Sequence, residues 1–298
     1  MRVLDGTNGW LEPIVISADN RRLAAADRKQ RGVRLFDLAD GSVRKPYKAR
    51  VENLCFYPDP DRLALETGKE LLELEWVSGA VTRVAALHGD RARAIPGGEL
   101  ATLSSFLGAR ERVAVTRWAH GTGGKLSRVS ETKLGTNQYS YVELWPDASR
   151  LIAVLRAPDR AETRGVILSV PGFDQVGEFA IPQDRPGQLL VAPGATQMAG
   201  RYRGRLYAWE GPDWKTFREL RVGGRRDLTG LAYTPDGKRL AAACNDETVR
   251  VYDAATLEEV KKYTWKSGRL RSVAFSPDGT LAAAGSDTGK VVVWDVDE

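Results

Sequence analysis

The fold follows from one stretch of sequence, Val273-Ala-Phe-Ser-Pro-Asp-Gly279, which continues through Leu281-Ala-Ala-Ala284 to Val291-Val-Val-Trp-Asp295. The same order of motifs occurs earlier in the chain, from Leu231-Ala-Tyr-Thr-Pro-Asp-Gly237 to Tyr252-Asp253. The prolines of the two copies are about 42 residues apart, a spacing typical of repeat architectures. The sequence is therefore built from a repeated unit.

Weaker copies of the unit occupy the rest of the chain. Together with the two strong copies, their centres lie at residues 18, 58, 96, 146, 193, 235 and 277. Successive centres are about 38 to 50 residues apart, which suits one small structural unit per repeat. Seven such units account for residues 1–298, so we predict a single domain with no residues left for a second one.

Each unit has the pattern of a small antiparallel sheet. Apolar runs of four to six residues predict strands, and Pro-Asp-Gly predicts the tight turn between two of them. A further run after each of the first six units adds a fourth strand, and no stretch favours a helix. The Leu-Ala-Ala-Ala run is unusual, because alanine is a poor strand former. We expect this strand to be buried on both faces, where neighbouring sheets leave little room.

Seven four-stranded units predict an all-β fold, a seven-bladed β-propeller of four-stranded antiparallel blades. The residues resemble the WD40-repeat family through Ser276-Pro-Asp-Gly279 with Trp294-Asp295 and Thr234-Pro-Asp-Gly237 with Tyr252-Asp253. The resemblance is strong over residues 188–298. It implies that the N-terminal strand completes the last blade. Because the unit centred at residue 277 lacks a fourth run, we expect the strand containing Arg2-Val-Leu4 to close the ring.

The chain departs from the family pattern at polar positions. The Gly-His that usually precedes each first strand is absent, with Lys266 and Gly224 at the histidine position of the last two units. The turn aspartate of the family is retained as Asp246 but is Thr288 in the last unit. We therefore expect the blades to be held mainly by packing rather than by the family's hydrogen-bond network.

Large aromatic side chains recur near strand ends at the spacing of the units, which predicts packing between blades. These side chains are Trp76, Trp118, Trp209, Tyr252 and Trp294. Trp214 and Trp265 lie outside this register, and we expect them to be more exposed.

Composition excludes several classes of function. The chain has two cysteines and two histidines, too few for a disulfide framework or a zinc cluster built on thiolates. It has neither an apolar run of membrane-spanning length nor an N-terminal apolar signal region. We expect a cytoplasmic protein that contacts no membrane and uses no cofactor or metal.

Charge is distributed unevenly between the two faces of the predicted disc. The turns between second and third strands share one face with the links between blades, and their charges sum to about +12, against about −12 on the other face. Family motifs explain the acidic face but not the basic one. The predicted binding residues on the basic face are Arg28, Lys29, Arg31, Lys45, Tyr47, Lys48, Arg50, Arg201, Tyr202, Arg203, Arg205, Arg225, Arg226, Lys266, Arg269 and Arg271. A merely solvated face would carry similar charges.

The resemblance implies a rigid interaction platform without chemistry of its own. We predict a non-enzymatic protein–protein interaction scaffold or assembly subunit whose arginine-rich face docks an acidic partner. The propeller itself is expected to be a monomer within a larger assembly. Binding of RNA or DNA backbone by the same face is the alternative, and it would weaken steeply with salt.

A propeller hydrolase or lactonase is a third hypothesis. Such an enzyme would need a cluster of polar residues where the inner strands begin, at the central tunnel. Glu12, Glu52 and Glu143 lie near the starts of predicted inner strands, but they come from three of the seven units. This is sparse for a catalytic cluster.

Overall fold

A computed structural model describes residues 1–6, 8–86, 91–95, 98–105, 112–121, 124–136, 139–155, 163–181, 187–222 and 227–297. These residues form strands β1 to β28, arranged in seven four-stranded antiparallel sheets. The predicted all-β fold of seven blades is confirmed. Within the same ranges no helix is long and apolar enough to cross a membrane.

The strands of each blade follow one another in the sequence, from the inner edge of the sheet outward. Blade 1 consists of β2 (Leu11–Ile16), β3 (Arg22–Asp27), β4 (Gly32–Asp37) and β5 (Val43–Tyr47). Blade 2 consists of β6 (Asn53–Phe56), β7 (Arg62–Glu66), β8 (Glu70–Glu75) and β9 (Val81–Ala86). Blade 3 consists of β10 (Arg91–Ile95), β11 (Glu99–Ser105), β12 (Arg112–His120) and β13 (Leu126–Thr136).

The second half of the ring repeats this order. Blade 4 consists of β14 (Tyr139–Leu144), β15 (Arg150–Leu155), β16 (Thr163–Ser169) and β17 (Gln175–Ile181). Blade 5 consists of β18 (Gln188–Val191), β19 (Gln197–Tyr202), β20 (Arg205–Glu210) and β21 (Phe217–Arg221). Blade 6 consists of β22 (Leu228–Tyr233), β23 (Arg239–Cys244), β24 (Thr248–Asp253) and β25 (Glu259–Thr264).

Blade 7 joins the two ends of the chain. Its inner strands are β26 (Leu270–Phe275), β27 (Leu281–Ser286) and β28 (Lys290–Asp295), and its outer strand is β1 (Arg2–Asp5). Strand β1 runs antiparallel to β28, with Arg2 opposite Val293 and Leu4 opposite Val291. The predicted closure of the ring by the N-terminal strand is therefore confirmed.

Packing between blades supplies the core. The described residues contain seven clusters of buried apolar side chains, and each cluster combines residues of two neighbouring blades. Trp76, Trp118, Trp209, Tyr252 and Trp294 are at most 5% exposed and belong to five of these clusters, as their spacing predicts. Burying such rings stabilises the contact between sheets.

The alanine runs lie where two neighbouring blades press on the same strand. Ala24, Ala25 and Ala26 in β3 are fully buried. Because side chains alternate across a strand, Ala24 and Ala26 join the cluster shared with blade 2, whereas Ala25 joins the cluster shared with blade 7. Strands β23 and β27 repeat this arrangement. Small side chains are required on both faces of the strand, because a larger one at any of these positions would overpack the cluster that it faces.

The expectation for one aromatic residue is wrong. Trp214 was expected to be exposed, but it is 2% exposed and packs edge-on against Trp145 of blade 4, with ring centroids 5.6 Å apart. It lies in the connection between β20 and β21, with a backbone φ of +59°. Trp214 therefore fills the junction between blades 4 and 5 from a loop that the repeat pattern does not cover.

A buried ion pair in blade 1 adds a polar contact to this packing. Arg34 of β4 donates to Asp27 of β3, and both side chains are almost fully buried. The Asp27 carboxylate also accepts hydrogen bonds from the backbone N–H groups of Trp10 and Gln30. Burial opposes ionisation of Asp27, but the N–H of Gln30, the Arg34 guanidinium and the N–H of Trp10 together lower the pKa of its carboxyl. The pair thus fastens the link between blades 7 and 1.

Ring closure can be tested with two substitutions in β1. Leu4 is 8% exposed and packs in the cluster between blades 7 and 1, whereas Val3 faces solvent. We expect Leu4→Ala to lower the free energy of unfolding by about 2–5 kcal/mol, because it leaves a cavity at the closure. Val3→Ala, the matched control in the same strand, should change it by less than about 0.5 kcal/mol. Chemical denaturation measures both, and equal effects would argue against closure by β1.

The Asp27–Arg34 pair predicts a dependence of stability on pH. Because the folded pKa of Asp27 is below its unfolded value, its stabilisation is complete at neutral pH and is lost as the pH falls through the lowered pKa. We expect Asp27→Asn to cost about 3–5 kcal/mol at pH 7 and progressively less toward pH 3, measured by urea unfolding. The exposed Asp295→Asn should have little effect at either pH. A cost for Asp27→Asn that is constant between these pH values would contradict this account.

Candidate functional site

The topology assigns each connection to one of two faces of the disc. Since strands alternate in direction within a blade, the turns between second and third strands lie on the same side as the links between blades. We call this side the link face. It carries residues 6, 8–10, 28–31, 48–52, 203–204 and 265–269. These segments contain many of the basic residues that the sequence analysis assigned to one face.

A cavity of about 580 Å³ lies at the centre of the ring and is lined by the inner strands of all seven blades. Residues two apart in one strand point the same way, so several of the inner strands present a polar residue near the link face and an apolar one deeper in. Examples are Gln188 with Leu190 in β18 and Thr229 with Leu231 in β22. The cavity therefore has a polar mouth and an apolar wall.

Arg28 is held at this mouth by groups of two blades. Its guanidinium donates to the backbone carbonyls of Glu12 and Glu52, each at 2.9 Å, and it is ion-paired with the Glu52 carboxylate. Arg50 reaches the same carboxylate, with 2.5 Å between Nε and Oε1. Arg28 was predicted to bind a partner, and the structure shows that it already joins blade 1 to blade 2.

Two further predicted arginines also line the cavity. Arg271 lies 3.2 Å from the Asp287 carboxylate, and its guanidinium stacks over the Trp10 ring at 4.3 Å from the ring centre. Arg201 donates to the side-chain oxygen of Gln188 at 3.1 Å and to the backbone carbonyl of Leu228 at 2.7 Å. Burial lowers the pKa of Arg201. These side chains belong to the cavity rather than to the open face.

Outside the cavity, a set of basic side chains is exposed on the link face. We call this set the basic rim, and it consists of Lys29, Arg31, Lys48, Arg203, Lys266 and Arg269. No described carboxylate lies within ion-pair distance of any of them. The rim spans blades 5, 6, 7 and 1, which are consecutive in the closed ring. It is the part of the predicted site that can meet a partner.

The remaining predicted residues have other surroundings. Lys45 is exposed but donates to Gln30 at 2.8 Å, and Arg205 is ion-paired with Glu219. Tyr47 and Tyr202 are half-buried, and the Arg203 guanidinium lies over the Tyr202 ring. Arg225 and Arg226 lie outside the described residues.

Trp10 is a surface residue that sequence reasoning missed. Its side chain is 38% exposed in the link between β1 and β2, with one ring face against Arg271. Its indole N–H donates to the Glu12 carboxylate at 3.2 Å. Tryptophan and arginine are enriched among the residues that contribute most of the binding free energy at protein interfaces. Its position in a blade link, away from the recurring aromatic register, was the signal that could have identified it.

Each of the three tunnel glutamates contacts a different side chain. Glu52 pairs with Arg28, and Glu143 lies 3.6 Å from Arg93. Glu12 accepts the Trp10 hydrogen bond. Within the described ranges, no group of three or more His, Cys, Asp or Glu side chains could hold a metal ion.

A second cavity, of about 680 Å³, lies between the outer strands of blades 5 and 6. Its arginines are already paired, Arg218 with Glu210, Arg221 with Glu219 and Arg250 with Glu259. This groove therefore offers less uncompensated charge than the link face.

Two protein-family models match the chain. The model of the WD domain, G-beta repeat, matches residues 258–295. The model of the anaphase-promoting complex subunit 4 WD40 domain matches residues 213–269. Both matches fall within the part of the chain where the repeat motifs are strongest.

Curated relatives match over parts of the chain. Protein HIR1 of Cryptococcus neoformans is 31% identical over 86 residues, which are 29% of this chain and 10% of that protein. WD repeat-containing protein 1 of Bos taurus is 28% identical over 167 residues, covering 51% of this chain and 25% of that protein. The guanine nucleotide-binding protein subunit beta of Oryza sativa is 31% identical over 80 residues, 24% of this chain and 21% of that protein. The chain thus spans between a tenth and a quarter of these relatives.

One solved structure matches over nearly the whole chain. It is the β-propeller domain of Cps50 (Swd1) from Myceliophteria thermophila, with a TM-score of 0.71 and 12% sequence identity. The match covers 99% of this chain and 98% of that domain. At this identity the likeness concerns the fold.

The different surroundings of the arginines predict different effects on stability. We expect Arg28→Ala to lower the free energy of unfolding by about 1–3 kcal/mol, because it leaves two backbone carbonyls without their donor and removes one of the two arginines paired with Glu52. Lys48→Ala on the basic rim should change it by less than about 0.5 kcal/mol. Thermal and urea unfolding measure both variants. Equal stability of the two would mean that Arg28 is not a structural contact.

Proposed function

The chain belongs to the WD40-repeat family of β-propellers, and on that basis we propose that it is a non-enzymatic interaction scaffold whose link face docks an acidic segment of a partner protein. The observation that carries the proposal is the basic rim. Its six cations are exposed, have no described carboxylate as partner and lie on consecutive blades.

The closed ring favours this use of the rim. The cores between blades hold the link face rigid, so a partner loses less free energy in ordering that surface. A one-sided array of positive charge attracts acidic segments from a distance and speeds their association. Arginine also binds carboxylates through two parallel hydrogen bonds. Trp10 supplies an apolar contact next to these charges.

The surroundings of the aromatic residues favour a protein partner over single-stranded nucleic acid. Binding along a nucleic-acid strand uses exposed aromatic faces on which bases stack. Tyr47 and Tyr202 are half-buried, Tyr202 has Arg203 over its ring, and one face of Trp10 is covered by Arg271. The described aromatic residues of this face therefore offer few free stacking surfaces.

Binding of two labelled probes by the full chain tests the proposal. One probe is a 20-residue polyglutamate peptide, the other is a 20-nucleotide polyuridylate, and fluorescence anisotropy is recorded at low and moderate salt. We expect the rim variant Lys29→Glu/Arg31→Glu/Lys48→Glu/Lys266→Glu to bind the peptide about tenfold or more weakly than the parent chain.

A matched variant separates the rim from net charge. Arg128→Glu/Lys215→Glu/Lys238→Glu/Lys262→Glu reverses four exposed cations away from the link face and changes the net charge equally. It should keep most of the affinity for the peptide. Equal losses in both variants would contradict a rim-specific site. Tighter binding of the polyuridylate, with a steep loss in salt, would replace the acidic partner by nucleic acid.

A further inference from the structure

Four described arginines line the central cavity, and three of them are paired with a carboxylate. The guanidinium of the fourth, Arg201, is not. Arg28 pairs with Glu52, Arg93 with Glu143 and Arg271 with Asp287. Arg201 contacts neutral acceptors, the Gln188 side chain and the Leu228 carbonyl. Among the described residues, no carboxylate lies within ion-pair distance of it. Arg201 is thus a partly desolvated cation whose charge is open to a counter-ion.

The hydrogen-bonding capacity of Arg201 is also only partly used. A guanidinium has five N–H donors in a planar fork. Arg201 uses Nε toward Gln188 and Nη1 toward Leu228. Three N–H groups remain, one on Nη1 and two on Nη2, and carboxylates are strong acceptors for guanidinium N–H groups.

The wall next to this cation is apolar. Leu190 follows Gln188 by two residues in β18, and Leu231 and Val273 line the same cavity from β22 and β26. The cavity volume of about 580 Å³ lies in the usual range for small-molecule sites. A ligand that fits both features has an anionic head and a compact apolar body.

We propose that the central cavity binds an organic carboxylate whose oxygens accept hydrogen bonds from Arg201 and whose apolar body packs against Leu190, Leu231 and Val273. The same chemistry is present in a free branched-chain acid and in the C-terminal residue of a peptide. This site is separate from the basic rim, so its failure would leave the scaffold proposal untouched.

Substitution of Glu12 provides a second test, in which the expected change in affinity is opposite to that for Arg201. It lines the same cavity and acts electrostatically on Arg201, although the two are not in ion-pair contact. A bound carboxylate would be repelled by Glu12 while being held by Arg201. Removing the charge of Glu12 should therefore strengthen binding, whereas removing that of Arg201 should weaken it. General loosening of the fold would weaken binding in both variants.

Isothermal titration calorimetry of the full chain with 4-methylpentanoate tests the site. We expect binding that weakens about tenfold or more in Arg201→Gln and tightens about twofold or more in Glu12→Gln. Arg205→Gln, a half-buried arginine that lies outside the cavity, is the matched control and should bind as the parent does. Leu190→Phe keeps Arg201 but fills the apolar wall, so it should also lose binding. Circular dichroism confirms that each variant is folded.

Analogues of the probe test the assigned charge. The neutral 4-methylpentanamide and the cationic 3-methylbutylamine have similar apolar bodies and should not bind measurably. Binding of the amine more tightly than the acid would overturn the proposal, because the glutamates would then be the recognising groups. The proposal would also be overturned if neither 4-methylpentanoate nor a peptide with a C-terminal leucine bound to the chain.

A peptide distinguishes the two sources of the carboxylate. An acetylated tetrapeptide ending in leucine is compared with its C-terminal amide. Tighter binding of the peptide acid than of 4-methylpentanoate identifies a partner's C-terminus as the ligand, and binding of the free acid alone identifies a small molecule. Either result supports the site if Arg201→Gln abolishes it. Equal binding of the peptide acid and its amide would contradict a role for the carboxylate.

Discussion

The pairing of β1 with β28 is the interaction on which the rest of the structure depends. Backbone hydrogen bonds between these strands complete blade 7 and bring Leu4 into the core that blades 7 and 1 share. Without this contact the ring would have an open edge, and an unpaired strand edge is prone to wrong associations. The Asp27–Arg34 pair reinforces the same junction, because Asp27 also binds the backbone that leads out of β1.

Closure of the ring also determines which basic side chains are buried between blades and which are exposed. A closed ring directs the inner strands toward one central cavity and gathers the blade links on one face. Arginines near the centre are then shared between neighbouring blades, as Arg28 is, and become structural. Those farther out, such as Arg31 and Arg203, remain exposed. One set of basic residues in the sequence therefore divides into structural contacts and a surface available to a partner.

Much of the fold could be predicted from sequence, because the features that specify it are local and repeated. Pro-Asp-Gly fixes turns, and three alanines in a row indicate a strand compressed between two sheets. The candidate site could be predicted from the sequence to a smaller extent. Counting charges by segment assigns Arg201 to the link side, but only the three-dimensional ring shows that its side chain lines a cavity. Trp10 and Trp214 lie in connections outside the recurring aromatic positions. The spacing of the repeats therefore does not predict that Trp10 is exposed and Trp214 is buried.

The strand that closes the ring has a consequence for how the protein is made. Residues 2–5 leave the ribosome long before their partners, residues 290–293, are synthesised. Until β28 has been synthesised, β1 has no strand to pair with, and blade 1 lacks its neighbour on that side. Contacts so distant in sequence form slowly, because the long loop between them must close first. The nascent chain thus exposes an unpaired strand edge until β28 has been synthesised, and that interval is when protection by a chaperone would matter most.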